Sequence, residues 1–403
     1  MLLVGTHDTK GAELDYVRGL IESRGHRVLT VDVGVLGDPP ADVDVRAEDV
    51  AAAGGSTLPA LRAAGDRGAA IDVMIAGLER VVPALHAEGR FDGVLGLGGG
   101  GGTALATAAM RTLPVGLPKV MVSTMASGDT TPYVGVKDVT MMYSVVDIAG
   151  LNPLSRRVLA NAAGAICGMV EQETPTAADR PMIAATMFGV TTPCVAGIRR
   201  RLEEAGYDVT VFHATGSGGR AMEALIDEGW FDGVADATTT EWCDEVVGGV
   251  LSAGRDRLSA AGRAGIPQVV SVGALDMVNF LGIDTVPERF RGRKLHRHNE
   301  NVTLMRTTAE ECAKLGLEIG RKLSAAKGPV TVLLPLRGIS AIDREGQPFD
   351  DPQARQALFD AIRANLRGKE LVEIDAHIND DRFAERAARE LLRLLPAPAR
   401  SET

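Results

Sequence analysis

The chain has 403 residues, of which 45% are hydrophobic, 24% charged and 4% aromatic. This composition is typical of a globular protein that is long enough for two domains with separate cores. The net charge of −10 argues against a general nucleic-acid-binding surface, so any anionic ligand must be held by local groups.

The cysteines and the N-terminal residues indicate the compartment. The chain begins Met1-Leu2-Leu3-Val4-Gly5-Thr6 and then turns polar, with no apolar segment of signal-peptide or membrane-spanning length. The cysteines lack CxxC spacing, which argues against a zinc site or a disulfide framework. We therefore expect a cytoplasmic protein without a membrane partner. The four cysteines are Cys167, Cys194, Cys243 and Cys312.

The polar loops after the first two predicted strands carry groups that suit a nucleotide. Lys10 is the cation for a phosphate chain, and Thr6 and Thr9 offer hydroxyl groups. Asp8 is a hard oxygen donor suited to Mg²⁺. Asp32, after the second strand, is either an acceptor for a ribose hydroxyl or a turn residue.

A glycine run lies between an apolar strand and a helix-like segment. Small residues there let backbone N–H groups crowd around an anion, and the start of a helix adds favourable charge. The run has neither the lysine of the GxxxxGK[ST] loop nor the spacing of GxGxxG, and a flexible turn is the alternative. The run comprises Gly98, Gly99, Gly100, Gly101, Gly102 and the following Thr103.

The next loop, after the strand that ends at Val122, completes the predicted nucleotide site with Ser127, Gly128, Asp129 and Thr130. Loops that follow parallel strands converge at one edge of the sheet, so all of these groups should line one cleft. Asp129 and Asp147 join Asp8 as candidate Mg²⁺ ligands. Further on, Asn152-Pro153 predicts the start of a helix that runs to about Glu171.

The chain repeats itself, which predicts the architecture. The segment 84–94 returns as 224–234, each time as helix, turn and strand, and the flanking strands recur as well. Apolar β-branched runs that alternate with amphipathic stretches indicate parallel sheets covered by helices. We predict an α/β protein with two tandem Rossmann-like domains, 1–178 and 179–403, joined by a linker over 174–181.

The second copy has its own signals for an anion. A glycine-rich turn opens a helix, and a basic segment over 289–299 places His296 and His298 on the same side of an extended chain. A metal at these histidines would need a third ligand such as His213 or Asp276, and a solvated loop is the alternative. The residues predicted to bind a small anionic substrate are Gly216, Ser217, Gly218, Gly219, Arg220, His296 and His298.

Several of these segments together resemble a known family, the ATP-binding domain of the tomato-mosaic-virus-resistance protein and its bacterial relatives. The resemblance implies two Rossmann-like subdomains, ATP with Mg²⁺ in the first, and self-association as a dimer. Plant members carry a further C-terminal barrel domain that we do not expect here. The segments that carry the resemblance are 5–11, the glycine run up to Thr103, 126–130, 295–299 and 348–352.

Two classes of function remain open. One is a Mg²⁺- and ATP-dependent enzyme that acts on a small anionic substrate held in the second domain. The other is an ATP-binding module whose nucleotide state controls a protein partner. The sequence shows no nucleophile or general base in motif form, so it leaves open whether the protein is an enzyme.

Overall fold

The computed structural model describes residues 1–37, 42–173 and 180–396. The chain divides into two compact units, Met1–Pro175 and Thr176–Thr403. The boundary predicted between 178 and 179, and all but the last two residues of the linker predicted over 174–181, lie outside the described residues. Both units are α/β with parallel sheets, as the sequence predicts.

The first unit is built on a five-stranded sheet in the order β2-β1-β3-β4-β5, with every neighbouring pair parallel. Its inner strands are short, apolar and buried on both faces, as helices on both sides of a sheet require. The strands are β1 (Leu2–Gly5), β2 (Leu29–Asp32), β3 (Val94–Gly98), β4 (Lys119–Ser123) and β5 (Thr140–Tyr143).

Helices cover both faces of this sheet. One core lies under α2, α4 and α5, and a second lies under α1 and α7. The helices are α1 (His7–Ser23), α2 (Ala47–Ala53), α3 (Leu58–Ala64), α4 (Arg67–Ala87), α5 (Gly100–Arg111), α6 (Thr131–Val134) and α7 (Pro153–Glu171).

The predicted helix start at Asn152 is confirmed, because its side chain accepts hydrogen bonds from the amides of Leu154 (2.9 Å) and Ser155 (3.0 Å). Helix α5 differs from the prediction. It begins at Gly100, so three of the glycines form its first turn instead of preceding it.

The second unit repeats the topology. Its six-stranded parallel sheet has the order β14-β13-β9-β8-β6-β7, so β7-β6-β8-β9 matches β2-β1-β3-β4 of the first unit. A three-stranded antiparallel sheet, β10-β12-β11, was not predicted. The strands are β6 (Met182–Met187), β7 (Asp208–His213), β8 (Gly233–Thr238), β9 (Gln268–Gly273), β10 (Met277–Phe280), β11 (Leu295–Arg297), β12 (Thr303–Arg306), β13 (Val330–Pro335) and β14 (Glu370–Ile374).

Helices pack on both faces of the six-stranded sheet over separate apolar cores. Within the described ranges, no helix of either unit is both long enough and apolar enough to cross a membrane. The helices of the second unit are α8 (Thr192–Glu204), α9 (Ser217–Asp227), α10 (Glu241–Cys243), α11 (Ala260–Ala264), α12 (Ala309–Ser324), α13 (Pro352–Asn365) and α14 (Asp381–Leu394).

Candidate functional site

A cavity of about 480 Å³ opens at the carboxyl edge of the first sheet. It lies where the strand order reverses between β1 and β3, which is the position where open α/β sheets bind ligands. One part of its wall is polar and comes from the loops after these two strands. The other part is apolar and is lined by Val33, Val35, Leu36, Leu61, Ala70, Ile71, Met74 and Leu105.

The glycines after β3 supply backbone donors to this cavity. Gly99 through Gly102 line it, and because α5 begins at Gly100, the first-turn amides have no partner within the helix. The amide of Thr103 is the first to bond back, to the carbonyl of Gly99 at 2.8 Å. The cavity therefore receives several N–H groups and the positive end of a helix dipole.

A cation close to these amides is Arg67, which was not predicted from the sequence. It lines the cavity as the first residue of α4, and its Nη2 lies 3.5 Å from where a Cβ on Gly101 would be. Among the described residues, Arg67 has no hydrogen-bond or ion-pair partner. The one sequence signal for it is Gly65, a glycine two residues earlier that marks a turn; its φ is +63° in the structure.

The predicted cation Lys10 also lines the cavity, but its ammonium donates a hydrogen bond to the carbonyl of Ile148. Arg62, another lining residue, donates to the carbonyls of Val35 and Gly37 and so holds the loop after β2. Lys10 and Arg62 keep their positive charge beside the cavity, since backbone carbonyls are neutral, but of the three cations Arg67 is the one whose side chain has no hydrogen-bond partner among the described residues.

Three further predicted residues lie in the cavity wall. Thr6 and Thr9 share a hydrogen bond of 2.8 Å between their hydroxyl groups. One carboxylate oxygen of Asp8 accepts from the amides of Leu36 (2.9 Å) and Gly37 (3.4 Å). Its other oxygen, Oδ1, is buried without a partner among the described residues.

Asp32 and Thr103 do not line the cavity, contrary to expectation. Asp32 is 2% exposed and accepts hydrogen bonds from the amides of His7 and Gly34. Burial opposes its ionisation, but these bonds and the His7 side chain outweigh it and lower the pKa. Asp32 thus takes the turn role in this structure, and the contact with a ribose stays a prediction. The Thr103 hydroxyl is buried against that of Ser123 at 2.6 Å.

The loop 127–130 and Asp147 also lie apart from the cavity-lining residues. Asp129 is exposed, and hydrogen bonds from the hydroxyl of Thr131 and from its amide, the latter at 2.9 Å, lower the pKa of this carboxyl. Asp147 is exposed and accepts from the amide of Ile148. The three predicted Mg²⁺ carboxylates form no common ligand cluster in the described part of the chain, and Asp8 is the one that lies at the cavity.

The second predicted anion site is corrected by the structure. The amides of Gly216 (2.7 Å) and Gly219 (3.0 Å) donate to Oε1 of Glu241, which is 1% exposed. A Cβ on Gly219 would lie 2.1 Å from Oε2 of the same carboxylate, so the glycine gives the carboxylate room. The protein's own side chain occupies the place expected for an external anion.

Glu241 belongs to a buried ionic network around Arg257, which is 1% exposed. Arg257 Nε donates to Glu241 at 2.7 Å, and its two terminal nitrogens each donate to one oxygen of the Asp236 carboxylate. Glu223 is the third carboxylate of the network: its Oε1 accepts from Arg257 Nη1 at 3.3 Å. The same carboxylate accepts from the amides of residues 258–260. Burial raises the Glu223 pKa, with Arg257 opposing it.

His296 and His298 do not join this turn. His296 lies on β11 with its ring 6.0 Å from that of Phe349, and His298 is exposed just after the strand. Neither histidine has a hydrogen bond or ion pair to Ser217, Gly218 or Arg220 within the described residues. A cleft shared by these histidines and the glycine turn stays a prediction, whereas the amides of the turn itself are taken by Glu241.

Asp276, a weaker candidate, lies in a second buried cluster. Its Oδ2 accepts from the Ser340 hydroxyl at 2.8 Å, and its Oδ1 has no partner in the described part of the chain. Burial and the nearby Asp343 raise its pKa to about 7, against the opposing charge of Arg306. Arg306 also contacts Asp343 at 3.4 Å.

This raised pKa predicts a pH-dependent stability. The folded state holds a proton on Asp276 between about pH 4 and 7 that the unfolded chain has released. The free energy of unfolding should therefore fall as pH rises through this window, by at most about 4 kcal/mol for three pKa units. Asp276→Asn should flatten the profile and raise stability at pH 8, as measured by urea denaturation between pH 4.5 and 8. The exposed Asp208→Asn should leave the profile unchanged; equal profiles for Asp276→Asn and the wild type would contradict the assignment.

Comparisons with known proteins cover the first unit and most of the second. A family model described as the N-terminal domain of an uncharacterised protein family, UPF0261, matches residues 1–175, and the model of the C-terminal domain of that family matches residues 180–395. A UPF0261 protein of Clostridium tetani is 50% identical over 98% of both chains. A UPF0261 protein of Rhizobium meliloti is 53% identical over 96% of both.

A plant protein is also similar. The ToMV resistance protein Tm-1 of Solanum lycopersicum is 42% identical over 98% of this chain, which spans 55% of the tomato protein. Among solved structures, the glycosyltransferase SsfS6 of Streptomyces sp. SF2575, complexed with thymidine diphosphate, has a TM-score of 0.21 at 13% identity, covering 98% of this chain and 96% of that chain. A score at this level supports no argument about fold or ligand.

Proposed function

The chain belongs to the UPF0261 family, and from its similarity to the tomato protein, from the ATP-binding domain which that resemblance implies, and from its own cavity we propose that it binds ATP in the first unit. The observation that carries the proposal is the cavity at the strand-order reversal, whose wall combines helix N-terminal amides with Arg67, a side chain without a partner in the part of the chain that the structure describes. Its volume of about 480 Å³ lies within the range of about 300–1,000 Å³ that small-molecule sites occupy.

The polar wall supplies what a phosphate chain needs. Amides at Gly100–Gly102 donate to phosphate oxygens, and the guanidinium of Arg67 pairs with their charge. The hydroxyls of Thr6 and Thr9 face the same cavity from the other strand loop. A chain with a net charge of −10 requires such local donors to hold a triphosphate.

The apolar wall suits the nucleobase. Leu61, Ala70, Ile71 and Met74 come from α3 and α4, and Val33 and Val35 come from the loop after β2. Such side chains bury the faces of a planar ring without demanding hydrogen bonds. The base would thus pack on the apolar part of the wall and the phosphates on the polar part.

We further propose that Asp8 binds the Mg²⁺ ion of the nucleotide. Its Oδ1 is a buried carboxylate oxygen that lacks a partner among the described residues, and Mg²⁺ in nucleotide sites typically takes one or two carboxylates with waters and phosphate oxygens. Bound Mg²⁺ would offset the triphosphate charge beside this carboxylate.

Of the two functional classes, we favour the ATP-binding module that controls a partner. The enzyme hypothesis requires an open anion cleft in the second unit. The glycine turn predicted to form this cleft is occupied by the carboxylate of Glu241. Self-association as a dimer and a cytoplasmic location remain predictions from the resemblance and the composition.

The proposal is tested by calorimetric titration of the full chain with ATP, once with Mg²⁺ and once with excess chelator. We expect one nucleotide per chain and an affinity that falls at least tenfold on chelation, because the phosphate charge beside Asp8 is then uncompensated. Asp8→Asn should lose most of this Mg²⁺ dependence, and Asp129→Asn should keep it. If ATP fails to bind in the presence of Mg²⁺, the proposed function is wrong. If ATP binds equally well in excess chelator, only the role of Asp8 is wrong.

A further inference from the structure

A second group of ligating side chains lies in the first unit, away from the nucleotide cavity. The imidazole of His26, the thiol of Cys167 and the carboxylate of Glu171 each place one ligand atom within 4.8 Å of the other two. His26 Nε2 and Glu171 Oε1 are 2.9 Å apart. His26 precedes β2 by three residues, so the group lies at the amino edge of the sheet, opposite the cavity.

Local structure explains how the three meet. Cys167 and Glu171 are one turn apart at the end of α7 and therefore share a face of that helix. Gly25, with a φ of +87°, turns the chain just after α1, so that His26 lies beside Cys167 and Glu171. Helices α1 and α7 pack against one another and both end here. Two helix C-termini create a negative potential that favours a cation.

We propose that these three residues form a site for Zn²⁺ or a similar thiophilic divalent ion. Thiolate sulfur, imidazole nitrogen and carboxylate oxygen are the donors that Zn²⁺ prefers, whereas Mg²⁺ and Ca²⁺ prefer oxygen alone. Tetrahedral zinc with ordinary bond lengths holds its ligand atoms about 3.4–3.8 Å apart. The present separations reach this spacing with small side-chain adjustments.

The surroundings provide both access and support. The side chains of His26 and Glu171 are 22% and 42% exposed, so an ion enters from the solvent side and a water completes its coordination. Cys167 is buried beneath these two side chains, and this burial raises the pKa of its thiol. The ion displaces the thiol proton to solvent as the sulfur–metal bond forms. Arg24 donates to both oxygens of Glu171, to Oε2 at 2.8 Å and to Oε1 at 3.0 Å; on metal binding it keeps the bond to Oε2 and releases Oε1 to the ion.

The test uses the chelator-treated, reduced full chain titrated with Co²⁺, whose bond to a thiolate gives a near-ultraviolet charge-transfer band. We expect one equivalent to bind with this band and Zn²⁺ to abolish it by competition. Cys167→Ser should lose the band, and Cys194→Ser, which removes a buried thiol of the second unit, should keep it.

His26→Gln, a change at a half-buried side chain, should weaken Co²⁺ binding at least tenfold; this variant decides the matter if Cys167→Ser does not fold. A band that survives in Cys167→Ser, unchanged affinity in His26→Gln, or no charge-transfer band in the wild type would each overturn the proposal. The readout contains no nucleotide, so its failure leaves the ATP proposal intact.

Discussion

Replacing Gly100 and Gly101 together by valine is expected to abolish ATP binding while the chain stays folded. A Cβ at Gly100 meets nothing closer than Met125 Sδ at 4.0 Å, and one at Gly101 lies 3.4 Å from Ile71. The valine side chains therefore fit the backbone but fill the phosphate end of the cavity. Hydrogen bonds to a charged ligand contribute about 1.5–3 kcal/mol each, so losing two weakens binding about 100-fold or more.

Calorimetry with Mg²⁺ and ATP measures this loss, and circular dichroism verifies the fold. Gly19→Val is the matched control, because Gly19 is a helical glycine with nothing within 4 Å of its added Cβ and lies outside the cavity. Arg67→Ala should give a smaller effect of about tenfold, since it removes one charged partner and leaves the amides. Wild-type affinity in the folded double variant would place the nucleotide elsewhere.

Replacing Arg257 by leucine is expected to unfold the second unit or to destabilise it severely. The change leaves the carboxylates of Glu223, Asp236 and Glu241 buried without their shared cation. Removing one partner of a buried ion pair costs about 3–5 kcal/mol because the remaining charge is uncompensated. Here three carboxylates lose the same partner, so the cost lies at or above the upper end of that range.

Urea denaturation measures the effect of Arg257→Leu. The control is Arg199→Leu, which removes an arginine that is 53% exposed and pairs with Glu203 one helical turn away. Exposed pairs of this kind contribute about 0.3–0.5 kcal/mol, so the control should unfold near the wild-type midpoint. A similar midpoint for the two variants would show that the network around Arg257 does not stabilise the unit.

The sequence was most informative where the signal is local. The glycine run, the polar loop after β1 and the Asn152 cap each lie within a few residues, and the structure has a cavity or a helix start at each. The rule that ligands bind at the carboxyl edge of parallel strands then placed the cavity correctly. Arg67 was missed because it reaches the glycines from α4, which starts 31 residues before β3 ends.

The second unit shows where such reasoning fails. Its glycine turn has the same local features as an anion site, and the anion that occupies it is Glu241, 22 residues beyond Gly219. A pattern of glycines before a helix predicts that a negative group will bind there, because the amides and the helix dipole attract any carboxylate. Whether that group belongs to a ligand or to the chain depends on the tertiary fold.

By itself, the sequence determined the α/β class, the internal repeat and the position of one cavity, because hydrophobic periodicity and glycine turns act over short distances along the chain. The tertiary structure alone decided which charges are free and which are paired. The Lys10 ammonium donates to a backbone carbonyl, whereas the Arg67 side chain has no partner within the described ranges, and Cys167, which lacks any CxxC partner, lies beside a histidine 141 residues earlier in the chain. Pairing depends on distances across the packed sheet and helices, and spacing along a sequence does not contain those distances.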